Sequence, residues 1–135
     1  MKIAVYGTLR MGCHNHSVYL EKAKFLGRTR IKGFDMWRDT WHTFPFVTRG
    51  KGRIVVEVYE VDKDTFNTLD RMEKEAGFVR REIEIKLNGE RINATIWEGG
   101  ERWTYRLKRG DKERIKKIEK GDWVEYEYNK KYKKG

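Results

Sequence analysis

Glutamine is absent from this 135-residue chain, and cysteine and proline occur once each, as Cys13 and Pro45. A single cysteine excludes an intrachain disulfide and any metal centre built from several thiolates. Cys13 could serve as a nucleophile, but an inert small side chain is the expected role. Histidine occurs three times, at His14, His16 and His42. The first two are spaced H-x-H, yet no acid or cysteine cluster accompanies them, so no metal site is expected. No apolar run is long enough to span a bilayer, and the N-terminus lacks the charged, apolar and small segments of a signal peptide. The expectation is a cytoplasmic protein without a membrane partner.

Charge is what the chain has in abundance: 39% of residues are Asp, Glu, Lys or Arg, and the formal net charge is +10. Rich Lys, Arg and Glu with few thermolabile side chains is the composition of a hyperthermophile protein. Such a surface is dense in lysine whatever it binds, which weakens the step from net charge to a polyanionic partner. The excess is uneven, with thirteen Lys/Arg against seven Asp/Glu from Glu101 onward. A nucleic-acid-binding end is one reading of this basic, aromatic region. Against it, Asp111, Glu113, Glu119, Glu125 and Glu127 are interspersed and would repel phosphates, which favours solvated surface. The length suits one domain that buries roughly two-thirds of its unfolded surface. Residues 1–128 are read as that domain, and 129–135 as a basic, flexible tail.

Local patterns divide the chain into short elements. Ile3 to Tyr6 reads as a strand that breaks at Gly7. Asn15 is positioned to cap a short helix over Ser17–Glu21. Two β-like runs follow, Lys24–Thr29 and Arg30–Trp37, with bulges or bends expected at Gly27 and Gly33. The aromatic stretch Trp37–Thr43 has no period and reads as a loop that covers core or walls a pocket. Ile54–Val61 alternates as a strand, with Val56, Val58 and Glu60 on one face and Val55, Glu57, Tyr59 and Val61 on the other. Asp62 marks a helix start with Thr65 at N3, and Gly77 is its natural stop after Ala76. Arg80–Leu87 and Arg91–Trp97 flank the hairpin dipeptide Asn88-Gly89. Asp111–Lys120 reads as a short basic helix and Trp123–Tyr128 as a last strand. Together these predict an α+β domain with a largely antiparallel sheet.

Two local features carry chemistry. At Gly7 the chain turns where a Cβ would clash, leaving successive N–H groups without strand partners; such a nest suits a carboxylate or a developing oxyanion. On the helix after Asp62, Phe66 and Leu69 set the apolar stripe, which continues by seven and four residues onto Glu73. Burial there and the negative end of the helix dipole both favour the protonated acid, so its pKa should rise toward that of a general base. The alternative is an ion pair with Arg80 or Arg81.

The string Val5-Tyr6-Gly7-Thr8-Leu9-Arg10-Met11-Gly12, with Asn15-His16 after it, resembles the V-Y-G-T-L-R-x-G-x-x-N-H signature of the gamma-glutamylcyclotransferase-like family. Further likeness runs through Phe25-Leu26-Gly27, Phe44-Pro45, Glu57-Val58-Tyr59, Leu69-Asp70 through Glu73, and Gly121-Asp122-Trp123, nearly the full length. The resemblance implies a small closed β-barrel flanked by a few helices. It implies catalysis by the glutamate of L-D-x-x-E, here Glu73, and substrate binding by Tyr6, Gly7, Thr8 and Leu9. The substrate would be a small gamma-glutamyl compound, cyclised to 5-oxoproline without a cofactor. Supporting roles fall to Arg10, on a substrate carboxylate or in a structural ion pair, to Asn15, and to Asp70, which holds local geometry; His16 braces the loop. Three positions depart from the family pattern: Lys74-Glu75-Ala76 delay the glycine after Glu73, Val56 replaces a glycine, and Phe78-Val79-Arg80 lacks a tyrosine hydroxyl. They bear on the substrate more than on the reaction. The competing function is a non-catalytic binding domain of the same fold.

Overall fold

The alternating segment expected at 54–61 is, up to Glu60, the second half of a far longer strand, and the fold is arranged around it. The computed structural model describes residues 1–111 and 113–132. In chain order the elements are β1 (Lys2–Val5), α1 (His16–Tyr19), β2 (Lys24–Asp39), β3 (Pro45–Glu60), α2 (Lys63–Glu75), β4 (Phe78–Leu87), β5 (Glu90–Gly99), α3 (Glu101–Arg109), β6 (Ile115–Lys117) and α4 (Trp123–Tyr132). Among the described residues no helix is long and apolar enough to cross a membrane.

The strands form one curled sheet in the order β4-β5-β1-β3-β2-β6. β2 and β3 are antiparallel over nearly their whole length, with register shifts at Phe25/Gly27 and Lys32/Phe34 where the bulges were expected. The two runs predicted at 24–37 are thus a single bent strand. The ladders β1/β3, β2/β6 and β4/β5 are also antiparallel, whereas β1 and β5 run parallel, with Ile3 opposite Thr95. A parallel pair therefore sits mid-sheet in an otherwise antiparallel arrangement. The resemblance implied a closed barrel. Here β2 and β4 approach across the open side with no ladder between them, so the described strands leave β4 and β6 as edges.

Both sheet faces are covered. Val56, Val58 and Ile54 pack on one side with Phe34, Ile96 and Trp123. Tyr59 and Val61 pack on the other with Phe66 and Leu69 of α2 and Trp103 of α3. Burial on both faces explains why residues 54–59 of β3 are apolar at every position but Glu57.

Three sequence expectations need correction. The helix expected over Asp111–Lys120 is absent among the described residues: Ile115–Lys117 pair with Trp37–Asp39 as β6, because the free edge of β2 offers backbone partners that a short isolated helix lacks. Trp123–Tyr128 is helical, not extended. The Asp122 side chain accepts from Glu125 N (3.1 Å) at the start of α4, which then runs to Tyr132 through the first part of the stretch read as a tail. Residues 133–135, the remainder of that tail, lie outside the described residues. Asn15 holds the N-cap position of α1 but makes no side-chain cap. Its amide is committed elsewhere.

Candidate active site

β1 delivers the chain to the site. Ile3 and Val5 face the helices, Ala4 and Tyr6 the opposite core, and the strand ends against Glu57 of β3. The bend follows at once. Arg10 N donates to Gly7 O (3.0 Å) and Asn15 N to Thr8 O (3.1 Å), while Asn15 Nδ2 donates to Thr8 Oγ1 (2.9 Å). His16 Nδ1 lies 2.9 Å from Leu9 O. The N–H groups of Gly7, Thr8 and Leu9 have no acceptor among the described residues. Glycine is required at position 7 by a close approach: an added Cβ would lie 2.9 Å from Pro45 Cδ.

A buried ionic anchor sets this loop from behind. Arg10 donates through Nε to Glu57 Oε2 (2.8 Å) and through Nη1 to Asp122 Oδ1 (2.7 Å). Glu57 also accepts from Met11 N (2.8 Å) and from the Tyr59 hydroxyl (2.9 Å). Burial alone would raise the Glu57 pKa; Arg10, the Met11 N–H and Tyr59 outweigh it and hold the carboxyl below its ordinary range. Three segments far apart in sequence, around residues 10, 57 and 122, converge here. Arg10 is a structural ion-pair partner and does not line the cavity at the bend.

The opposite wall is α2. Asp62 accepts from Thr65 N (2.7 Å), as its capping position demands, and the chain leaves the helix through Gly77 at φ +91°. Asp70 is fully occupied by Trp97 Nε1 (3.0 Å), Lys74 Nζ (3.0 Å) and Arg80 Nη1 (3.2 Å). Arg81 pairs with Glu98. Both arginines expected as alternative partners of Glu73 are therefore engaged elsewhere, and Glu73 has no ion-pair or hydrogen-bond partner among the described residues. Burial pushes its pKa up to about 7.

Glu73 and the bend line the same cavity of about 270 Å³. That is near the small end of ligand sites, which run from roughly 300 to 1,000 Å³. Met72, Ala76, Phe44, Pro45, Phe78 and Trp97 supply the apolar lining. Of the residues singled out from sequence, Glu73, Tyr6, Gly7, Thr8, Leu9 and Asn15 are brought together, whereas Arg10 and Asp70 act outside the cavity. The Tyr6 hydroxyl donates to Trp97 O (2.7 Å); burial, and then the Glu73 charge, raise its pKa well above the usual value. It is therefore a neutral donor already in use.

Sequence reasoning did not assign Thr43, Trp97, Met72 or His14 to the site. The aperiodic aromatic loop before Pro45 was the available signal for Thr43, and it serves both readings given to it: it walls the pocket and covers core. His42 Nδ1 lies 3.1 Å from Asp39 Oδ2, away from His16. Burial pushes the Cys13 thiol up, which keeps it protonated and poorly nucleophilic.

Known proteins share this architecture. Residues 3–125 match the family model described as gamma-glutamyl cyclotransferase, AIG2-like. A protein of Pyrococcus horikoshii named "Putative gamma-glutamylcyclotransferase PH0828" is 39% identical over 125 residues, 93% of this chain and 92% of that one. The PH0828 crystal structure superposes with a TM-score of 0.71 at 36% identity, covering 98% of this chain and 97% of that one. The rat protein named gamma-glutamylaminecyclotransferase is 38% identical over 79 residues, 53% of each chain. On a match that runs almost end to end, the chain belongs to the gamma-glutamyl cyclotransferase, AIG2-like family.

Proposed function

We propose that the protein is a gamma-glutamylcyclotransferase in which Glu73 is the general base and acid and the Tyr6–Leu9 bend holds the glutamyl group. One observation carries this reading: a carboxylate whose pKa is pushed up to about 7 lines the same small cavity as three main-chain N–H groups, all without partners among the described residues. A gamma-glutamyl compound brings its own nucleophile, the α-amine, within five-membered-ring distance of the γ-carbonyl. The protein has only to fold the substrate into attack geometry and manage protons.

Glu73 takes a proton from the α-ammonium. The freed amine attacks the γ-carbonyl carbon, closing the ring and placing negative charge on the carbonyl oxygen. The N–H groups of Gly7, Thr8 and Leu9 are available to that oxygen or to the substrate α-carboxylate. As the γ-amide C–N bond breaks, Glu73 passes its proton to the departing nitrogen. The second proton of the ring nitrogen follows by the same route, so the products are 5-oxoproline and an ammonium. No redox step or cofactor enters this balance.

The basic C-terminal region gives less support to a binding-only domain, because Arg106 and Arg114 are tied to Asp39, and Arg109 to Asp111. The test is 5-oxoproline release from gamma-glutamyl amines, gamma-glutamyl amino acids and glutathione. Glu73→Gln, close in shape to the native residue, is expected to fold and to lose about 10²–10⁴-fold in kcat. Near-full turnover by that variant would end the assignment.

A further inference from the structure

The cavity at the bend continues beyond its own rim. His14 and Thr43 line it and also line a second cleft of about 540 Å³, whose far wall is α4. Within this cleft lies Arg38, buried to 8% exposure. Its guanidinium is poorly served. Among the described residues Nε has no acceptor, and Nη1 reaches the Tyr126 hydroxyl only at 3.5 Å and Glu127 Oε1 at 3.7 Å. The rings of Trp123 and Tyr126 lie 5.8 and 5.7 Å from its central carbon, which favours a cation there but supplies no oxygen. Arg10, the other deeply buried arginine, has carboxylates at 2.8 and 2.7 Å. A buried cation short of acceptors on a cleft wall is prepared for an anion from outside, and guanidinium geometry suits a carboxylate.

We infer that this second cleft is the leaving-group subsite and that Arg38 anchors the carboxylate of a departing amino acid or short peptide. The inference rests on the reaction proposed above, in which the γ-amide nitrogen must carry its substituent out of the glutamyl cavity. The shared rim at His14 and Thr43 is where such a substituent crosses. Lys131 adds a second cation to the cleft. Glu127 is the opposing charge; its side chain is 41% exposed, so it can turn to solvent when a substrate carboxylate arrives. Tyr128 and Tyr132, with ring centroids 5.0 Å apart, give an exposed apolar wall for the substituent's side chain.

The experiment compares gamma-glutamyl-phenylalanine with gamma-glutamyl-phenethylamine, which differ only in the leaving-group carboxylate, by 5-oxoproline release. The wild-type protein is expected to favour the phenylalanine compound by about 10–100-fold in kcat/KM, expressed in KM. Arg38→Met raises that KM and reduces the discrimination to within about twofold, and Arg38→Lys restores part of it. Glu127→Gln, a milder change on α4, should lower KM for the phenylalanine compound several-fold, and it serves as the test if Arg38→Met fails to fold. Equal use of both compounds by the wild type, or preference for the phenethylamine compound, overturns the subsite and leaves the cyclisation standing. Release from neither while glutathione or another gamma-glutamyl compound is turned over overturns the subsite alone, and release from none of them overturns both.

Discussion

A carboxylic acid set among Met72, Ala76 and Phe78 loses hydration without gaining a cation, and the protonated form gains accordingly. Glu73 therefore titrates near 7, where it can both accept and return a proton. The rate should show this directly. In the proposed role of base it must be ionised in the free protein, so kcat/KM is expected to rise with pH to a plateau above about 7. The acid limb should vanish from the residual activity of Glu73→Gln, and a limb that persisted in that variant would belong to another group. Behind the loop, Glu57 and Arg10 form the buried pair that positions the N–H groups. Glu57→Gln leaves the arginine short of charge where water cannot replace it. A loss of about 3–5 kcal/mol is expected in denaturant unfolding, accompanied by weaker substrate binding.

At the level of elements, α3 holds the end of α2 that carries Glu73. Trp103 stacks on Phe46 with centroids 4.9 Å apart, and its Nε1 donates to Ala76 O (3.0 Å) at the C-cap of α2. Trp103→Phe keeps most of the packing and removes that donor. The expected cost is about 1–3 kcal/mol, read as a lower denaturation midpoint at unchanged m-value. This helix was not read from the sequence, although Trp103 and Leu107 at i,i+4 and the stop at Gly110 mark it. Elsewhere the legibility of an element followed the strength of its ends. The Asp62 cap, the Gly77 stop and the Asn88-Gly89 turn, with φ of +52° and +82°, fixed α2 and the β4/β5 hairpin by local chemistry. Ile115 and Ile118 suited a helix by spacing, but an unpaired strand edge claimed the segment. At α4 the alternating aromatics obscured a capping signal, Asp122 with Glu125 three residues later.

Taken over the whole molecule, the ionised groups pull stability in opposite directions with pH. Burial pushes Glu57, Asp122 and Asp39 upward, but their cation and N–H partners prevail and hold each below its ordinary pKa. Their stabilisation is present above the unfolded carboxylate range and is lost as pH falls through the lowered values. Glu73 has the opposite sign: its raised pKa makes the fold lose stability as pH climbs from about 4.5 to about 7. The ceiling on that loss is about 3 kcal/mol at roughly 1.4 kcal/mol per unit, less whatever cavity water screens. Thermal unfolding should therefore show greatest stability near pH 5. Glu73→Gln should flatten the decline on the alkaline side and leave the acid side unchanged. A variant that tracks the wild type between pH 5 and 8 would contradict the desolvated, half-buried acid.

The sequence by itself determined the local devices: a glycine bend after the first strand, a capped helix whose apolar stripe ends on Glu73, and the family signature that joins them. Tertiary structure decided the partners. Arg10 could have met a substrate or a carboxylate, and it meets Glu57 and Asp122, 47 and 112 residues away. Arg80 and Arg81 could have neutralised Glu73, and they are held by Asp70 and Glu98 instead. Periodicity says which way a side chain faces. Which of several opposite charges closes on it depends on strands and helices brought together across the chain, so the freedom of Glu73 became visible only in three dimensions.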